Sequence, residues 1–150
     1  MTRKLERILI AVDDTPSSSA AVEQGLALAH NEGAHVIFGH VVSILGEQFV
    51  PGNDKPERVP ETAKTELLIE AEAKAETAGV PCTTELLIGY PPKQLALLAD
   101  DLDVDLIVVG SRHLSAVKRF LLGSTSRELL SATTRQILVV PEPVPEPALN

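Results

Sequence analysis

Two groups of residues have the types and spacing needed to bind an anionic ligand. Asp13 and Asp14 directly follow an apolar run, and a segment rich in glycine, serine and basic residues follows a later one. Between Gly110 and Gly123 this segment contains no acid and three bases, Arg112, Lys118 and Arg119, in a chain of net charge -8. Small residues before a helix expose backbone amides at the positive end of its dipole. The segment therefore predicts a phosphate site, and the Asp13 carboxylate is an acceptor suited to hydroxyl groups.

The elements that must position these residues follow from the hydropathy pattern. Apolar runs predict strands, and segments with helical periodicity or strong helix formers lie between them. The predicted strands are 8–12, 36–42, 83–88, 106–109 and 136–140, and the predicted helices are 15–31, 61–78, 92–101 and 126–132. The alternation predicts an α/β fold: a five-stranded parallel sheet of order 3-2-1-4-5 with helices on both faces. In such a sheet Asp13 and Gly110 end neighbouring strands at the point where the winding reverses, which is where ligands bind.

One domain is expected, because the chain has 150 residues, of which 44% are hydrophobic. We assign residues 1–140 to this domain and 141–150 to a mobile tail with alternating prolines. The stretch from Gly46 to Pro60 contains too many prolines and glycines to form one regular element, and long loops of this kind often cover sites.

Several function classes are disfavoured by composition. A single cysteine, Cys82, excludes an internal disulfide framework and is expected to be a small core residue. His30, His35 and His40 lack the spacing of a metal site and are expected to be structural or exposed. The acidic charge and scarcity of aromatics argue against nucleic-acid binding. The absence of a long apolar run argues against a signal peptide or a membrane span, so a cytoplasmic protein is expected.

From Leu5 to Val140 the sequence resembles the universal stress protein family. The resemblance is carried by Ile8-Leu-Ile-Ala-Val-Asp-Asp-Thr15, by Asp105-Leu-Ile-Val-Val-Gly110, by Leu122-Gly-Ser-Thr125 and by the closing Gln136-Ile-Leu-Val-Val140. The nucleotide-binding branch has Gly, two residues, Gly, nine residues, Gly, and then Ser or Thr. Here His113 replaces the middle glycine, and Asp14 stands where the family commonly has glycine. Histidine tolerates a positive φ better than most residues, so we expect binding to be retained.

The resemblance implies a Rossmann-like fold of the adenine nucleotide alpha hydrolase type and an adenine nucleotide ligand. ATP is the expected ligand, with AMP or cyclic AMP as alternatives and with magnesium as an optional companion of ATP. Ala11, Val12 and Val41 would contact adenine, and Asp13 would accept hydrogen bonds from the ribose. The phosphates would be surrounded by Gly110, Arg112, His113, Gly123, Ser124, Thr125 and Ser126.

Structural roles remain open for the same residues. Asp13 could simply satisfy the turn after the first strand, the serines could be helix caps, and Lys118 and Arg119 could form a solvated face. A phosphorelay receiver is disfavoured, because Gly89-Tyr90 stands where such a protein needs an aspartate after its third strand.

The expected function is that of a stress-response sensor or regulator, in which bound nucleotide orders residues 110–126. The chain is expected not to be an enzyme, since it has no Walker lysine motif, nucleophile elbow or dinucleotide fingerprint, although slow ATP hydrolysis stays open. The apolar edge strand 136–140 predicts a homodimer, which the resemblance also implies. The alternative is a ligand-free structural or protein-interaction dimer of the same family.

Overall fold

The computed structural model describes residues 4–43, 54–60, 64–111 and 124–142. Five strands alternate with four helices along these residues. The elements are β1 (Arg7–Ala11), α1 (Pro16–Glu32), β2 (His35–Val42), α2 (Glu66–Ala78), β3 (Cys82–Ile88), α3 (Pro91–Asp101), β4 (Leu106–Gly110), α4 (Ser124–Ala132) and β5 (Gln136–Val140). The predicted tail falls mostly on residues 143–150, which lie outside the described residues.

The sheet confirms the predicted topology. Its order is β3-β2-β1-β4-β5, and all four strand pairs are parallel. Alternate residues of each strand point to opposite faces, so the sheet has an apolar layer on each side. Ile10 and Phe38 pack with α1 and α2, whereas Leu9 and Ile107 pack with α3 and with Leu129 of α4. Such near-continuous apolar strands are typical of parallel sheets covered on both faces.

Local sequence signals determine where α1 begins and ends. Thr15 is extended, and its hydroxyl accepts a hydrogen bond from the Ser18 amide, while Pro16 occupies the first helical position. Gly33 ends the helix in the left-handed conformation at φ 68°, which glycine adopts without strain. The predicted helix is therefore confirmed to within about one residue at each end.

The start of α2 was predicted too early. The pattern predicted a helix from Glu61, but the helix begins at Glu66, because Thr65 is extended and accepts from the Leu68 amide as its cap. The start of α4 was predicted too late: Ser124, and not Ser126, is its first residue. At α2, helix formers stand on both sides of the cap, so propensity cannot choose the boundary. At α4, three consecutive Ser and Thr residues all suit the start of a helix.

Part of the proline-rich stretch lies against the outer edge of β3. The Val59 amide donates to the Leu86 carbonyl at 2.8 Å, and the Ile88 amide donates to the Glu57 carbonyl at 3.0 Å. Arg58 forms an antiparallel bridge with Leu87. In the described part of this stretch, residues 54–60, the chain therefore covers a sheet edge.

Candidate functional site

A cavity of about 410 Å³ opens at the carboxyl edge of the sheet, where β1 and β4 end. Its volume lies in the range of small-molecule sites, about 300–1,000 Å³. Five of the predicted ligand residues line it together: Ala11, Val12, Asp13, Val41 and Gly110. We call this cavity the switch-point pocket, since it lies where the winding of the sheet reverses. Its other lining residues include Asp14, Gly39, His40, Leu67, Pro91 and Leu95.

Asp13 is held in the turn between β1 and α1 by several hydrogen bonds. Its Oδ1 accepts from the Thr15 amide at 2.9 Å and also from the Thr15 hydroxyl, and its own amide donates to Ser18 Oγ at 2.8 Å. The turn-satisfying role considered from the sequence is therefore present. The turn uses one oxygen of the Asp13 carboxylate. The carboxylate has a second oxygen, and because it only accepts hydrogen bonds it suits ligand hydroxyls.

Val12 and Val41 form the apolar wall on the β1 and β2 side. The Val12 amide donates to the Gly39 carbonyl at 2.8 Å, so this N–H is already engaged within the fold. Its side chain is buried in the core, whereas Val41 is only half-buried and packs toward α3. Val12 can therefore contribute packing to a ligand but not an amide donor.

Gly110 lines the pocket, and packing requires a glycine at this position. A Cβ atom added at this position would lie 2.6 Å from the carbonyl carbon of Ser17 and 2.7 Å from its oxygen. Ser17 belongs to the first turn of α1 and is fully buried, so backbone atoms would have to move. Gly110 therefore has a packing role at the end of β4, and this role is compatible with a ligand nearby.

The phosphate half of the predicted site is described only in part. Arg112, His113 and Gly123 lie outside the described residues. Ser124, Thr125 and Ser126 form the first turn of α4, whose backbone returns from the carboxyl edge of β4 to start β5. The positive end of the α4 dipole is thus at the same edge of the sheet as the pocket, as an anion site requires.

His40 lines the pocket and was not predicted to do so. It lies near the carboxyl end of β2, and its Nδ1 is 3.0 Å from Thr65 Oγ1, the cap of α2. Burial lowers the pKa of His40 below its ordinary value of 6.5, and the carboxylates of Asp13 and Asp14 oppose this shift. No signal in the sequence could have placed it there, because its partner Thr65 lies on a different element, 25 residues away.

A larger cavity, of about 750 Å³, is lined by residues from the first halves of β2 and β3, near the amino edge of the sheet. Its lining includes Arg7, which makes an ion pair with Asp103, and Lys64, which makes one with Glu72. Ligands of open α/β sheets bind at the carboxyl edge, so this cavity is the weaker candidate.

The described residues form neither a metal-binding group nor a membrane-spanning helix. In residues 4–43, 54–60, 64–111 and 124–142, no three His, Cys, Asp or Glu side chains are grouped so as to hold a metal ion. None of the helices in these ranges has the length and apolarity to span a bilayer.

Comparison with known proteins identifies the family of this chain. The model of the universal stress protein family matches residues 4–141. Universal stress protein YxiE of Bacillus subtilis is 31% identical over 144 residues, covering 89% of this chain and 97% of the relative.

Two solved structures share the fold. A universal stress protein in complex with cAMP is 25% identical, with a TM-score of 0.69 and coverage of 92% of this chain and 98% of that one. A family protein from Arabidopsis thaliana with AMP bound has a TM-score of 0.66 at 17% identity, with 92% of each chain covered. The fold is therefore Rossmann-like, and the chain belongs to the universal stress protein family.

Proposed function

We propose that this protein binds an adenine nucleotide in the switch-point pocket. ATP is the expected ligand, with magnesium where ATP binds, and AMP and cyclic AMP are the alternatives. The observation that carries the proposal is that Asp13 and the apolar wall of Ala11, Val12 and Val41 line one cavity of ligand size. The relative in complex with cyclic AMP supports the same ligand class.

The described residues suit the adenosine part of such a ligand. The apolar wall offers a surface on which a flat base can pack, and the Asp13 carboxylate can accept hydrogen bonds from ribose hydroxyls. The phosphates would extend toward the start of α4. Their contacts with Gly110, Arg112, His113, Gly123, Ser124, Thr125 and Ser126 remain predictions from the sequence.

The proposed role is that of a cytoplasmic sensor or regulator without enzymatic activity. A bound nucleotide would order residues 110–126 and so change the affinity of the protein for its partners, since a ligand acts only through such a difference. Pairing of β5 with its counterpart in a second copy would form a homodimer.

A ligand-free dimer is the second candidate, and one observation favours it. Asp13 and Asp14 both line the pocket, whereas none of its described lining residues is a lysine or arginine. Two carboxylates repel phosphate oxygens unless cations from elsewhere compensate. Arg112, two residues after Gly110 in the sequence, is the predicted phosphate ligand that would supply such a charge.

The test is calorimetric titration of ATP, AMP and cyclic AMP into the wild type and Asp13→Asn, with native mass spectrometry to identify any ligand that copurifies. Asparagine keeps the Oδ1 acceptor for the Thr15 amide but loses the charge, so the turn should persist. Loss of charged hydrogen bonds worth about 1.5–3 kcal/mol predicts binding about tenfold to a hundredfold weaker.

Glu23→Gln is the matched control, since it removes one negative charge from an exposed position on α1. Its affinity should equal that of the wild type. Equal affinity of Asp13→Asn would contradict the site, and failure of the wild type to bind any of the three nucleotides would favour the ligand-free dimer. Substitution of Gly110 is a poor test, because the Ser17 backbone would be displaced whether or not a ligand binds.

A further inference from the structure

We propose that His40 is a specificity-determining residue of the switch-point pocket, whose protonation favours anionic adenine ligands over neutral ones. The inference rests on the proposed function and extends it to the discrimination between ligand charges.

The geometry holds the imidazole at the pocket. His40 follows the buried residues Phe38 and Gly39 on β2, and its Nδ1 lies 3.0 Å from Thr65 Oγ1. Thr65 is itself fixed, because its oxygen accepts from the Leu68 amide at the start of α2. A hydroxyl can donate to a neutral imidazole and accept from a protonated one, so this contact can persist in both charge states.

The charge balance of the pocket depends on this one ring. Asp13 and Asp14 are the charged groups that act on His40. Its register neighbour on β3 is Leu86 and its contact on α2 is Thr65, and neither is ionisable. Among the described lining residues, His40 is the one that can gain positive charge between about pH 5 and pH 8. Its protonation would halve the net negative charge of these residues.

The direction of the effect follows from linkage. Burial lowers the pKa of His40 in the free protein, so the ring is neutral at neutral pH. An anion in the pocket stabilises the protonated ring and raises this pKa. Affinity for the anion therefore rises as the pH falls through the pKa of the complex, and it levels off below the pKa of the free protein. A neutral ligand gives no such gain.

Cyclic AMP and adenosine are the appropriate pair of probes. They share the base and most of the sugar, and the phosphodiester keeps a single negative charge throughout this pH range. Titration calorimetry at about pH 7.5 and about pH 5.5 should show cyclic AMP binding several-fold tighter at the lower pH, up to the limit of about tenfold that a shift of about one unit in the pKa of His40 allows. Adenosine should change by less than about twofold.

Three histidine variants test which histidine causes the pH dependence of cyclic AMP binding. His40→Gln should remove the pH dependence for cyclic AMP, because glutamine can still reach Thr65 but cannot become charged. His35→Gln is the matched control: it lies on the same strand, its Nε2 is 3.3 Å from the Thr83 hydroxyl, and it does not line the pocket. His113→Gln tests the other histidine that the sequence places near the phosphates.

The outcomes separate this inference from the proposed function. A pH dependence that survives in His40→Gln, or that is lost only in His113→Gln, would overturn the inference while leaving nucleotide binding intact. Failure of both probes to bind the wild type at either pH would overturn both. NMR titration of the ring provides a direct readout: the pKa of His40 should rise with cyclic AMP and stay constant with adenosine.

Discussion

At the scale of single residues, the half-buried ring of His40 also makes folding stability depend on pH. In the unfolded chain a histidine has its ordinary pKa of 6.5, and burial lowers this value in the folded protein. The unfolded state therefore binds more protons between the two pKa values. The stability associated with His40 is fully present above 6.5, falls as the pH decreases through that value, and levels off below the pKa of the folded form.

We expect His40→Gln to lose less stability than the wild type between about pH 7.5 and about pH 5.5, because glutamine has no proton to gain. Thermal unfolding at these two pH values, without ligand, measures the difference. His35→Gln should keep the wild-type decline, since its ring occupies a different part of β2. An identical decline in the wild type and His40→Gln would show that burial of His40 does not affect stability in this range.

His40 is a pocket residue that could not be predicted from the sequence. Asp13 and Gly110 could be placed together because each stands at the end of an apolar run, and the ends of parallel strands share one edge. Val41 was predicted from the family resemblance. His40 could not be placed, because an isolated histidine on a strand gives no signal of whether it faces the core, a pocket or solvent. Its partner Thr65 is 25 residues away, and only the packing of α2 against β2 brings the two together.

At the scale of elements, the two edge strands of the sheet differ in whether another described segment pairs with them. On β3 the segment 57–59 supplies backbone hydrogen bonds, and Arg58 adds ion pairs to Glu85 at 3.1 Å and to Asp101 at 2.6 Å. The Arg58 guanidinium holds the pKa of the Asp101 carboxyl below its usual value. Such partly exposed pairs contribute little stability individually, so backbone pairing and buried contacts should dominate the attachment.

Gln94 provides one of these buried contacts. It is 6% exposed, and its Oε1 accepts from the Glu57 amide at 2.7 Å. We expect Gln94→Leu to lower the free energy of unfolding by about 1–2 kcal/mol, because the Glu57 amide loses this acceptor. Hydrogen exchange should accelerate at the Val59 and Ile88 amides, which donate across this edge. Gln24→Leu, at an exposed position on α1, is the control; protection unchanged in Gln94→Leu would contradict the role assigned to Gln94.

This attachment could not be predicted from the sequence, which indicated only that Gly46 to Pro60 lacks a single regular element. Prolines exclude a central strand but permit pairing at an edge. The choice of β3 depends on Gln94, whose side-chain amide contacts Glu57, 37 positions earlier in the sequence. The helices, in contrast, were predictable as elements because caps and periodicity are local, and errors of more than one residue occurred only at the starts of α2 and α4.

At the scale of the whole molecule, strand order and parallel pairing were predictable because the strands are largely apolar and strands alternate with helices along the chain. The assembly is harder to predict than the fold, because it depends on contacts with a second chain. No described residue pairs with the outer edge of β5, and Leu138 on this strand is 38% exposed. An uncovered apolar edge is a template for pairing with another copy.

The outward backbone groups of β5 give this proposal a specific test. The Val140 carbonyl accepts from the Ser111 amide on the β4 side at 2.8 Å. Successive residues of a strand direct their backbone groups to opposite sides, so the Val139 N–H faces outward. We expect Val139→Pro to remove a donor across the dimer interface without breaking the β4 ladder, and to shift the protein toward monomer in light scattering. Val139→Ala keeps this N–H and should remain dimeric, because its backbone can still pair. A dimer mass that is unchanged in Val139→Pro would place the contact between copies elsewhere on the molecule.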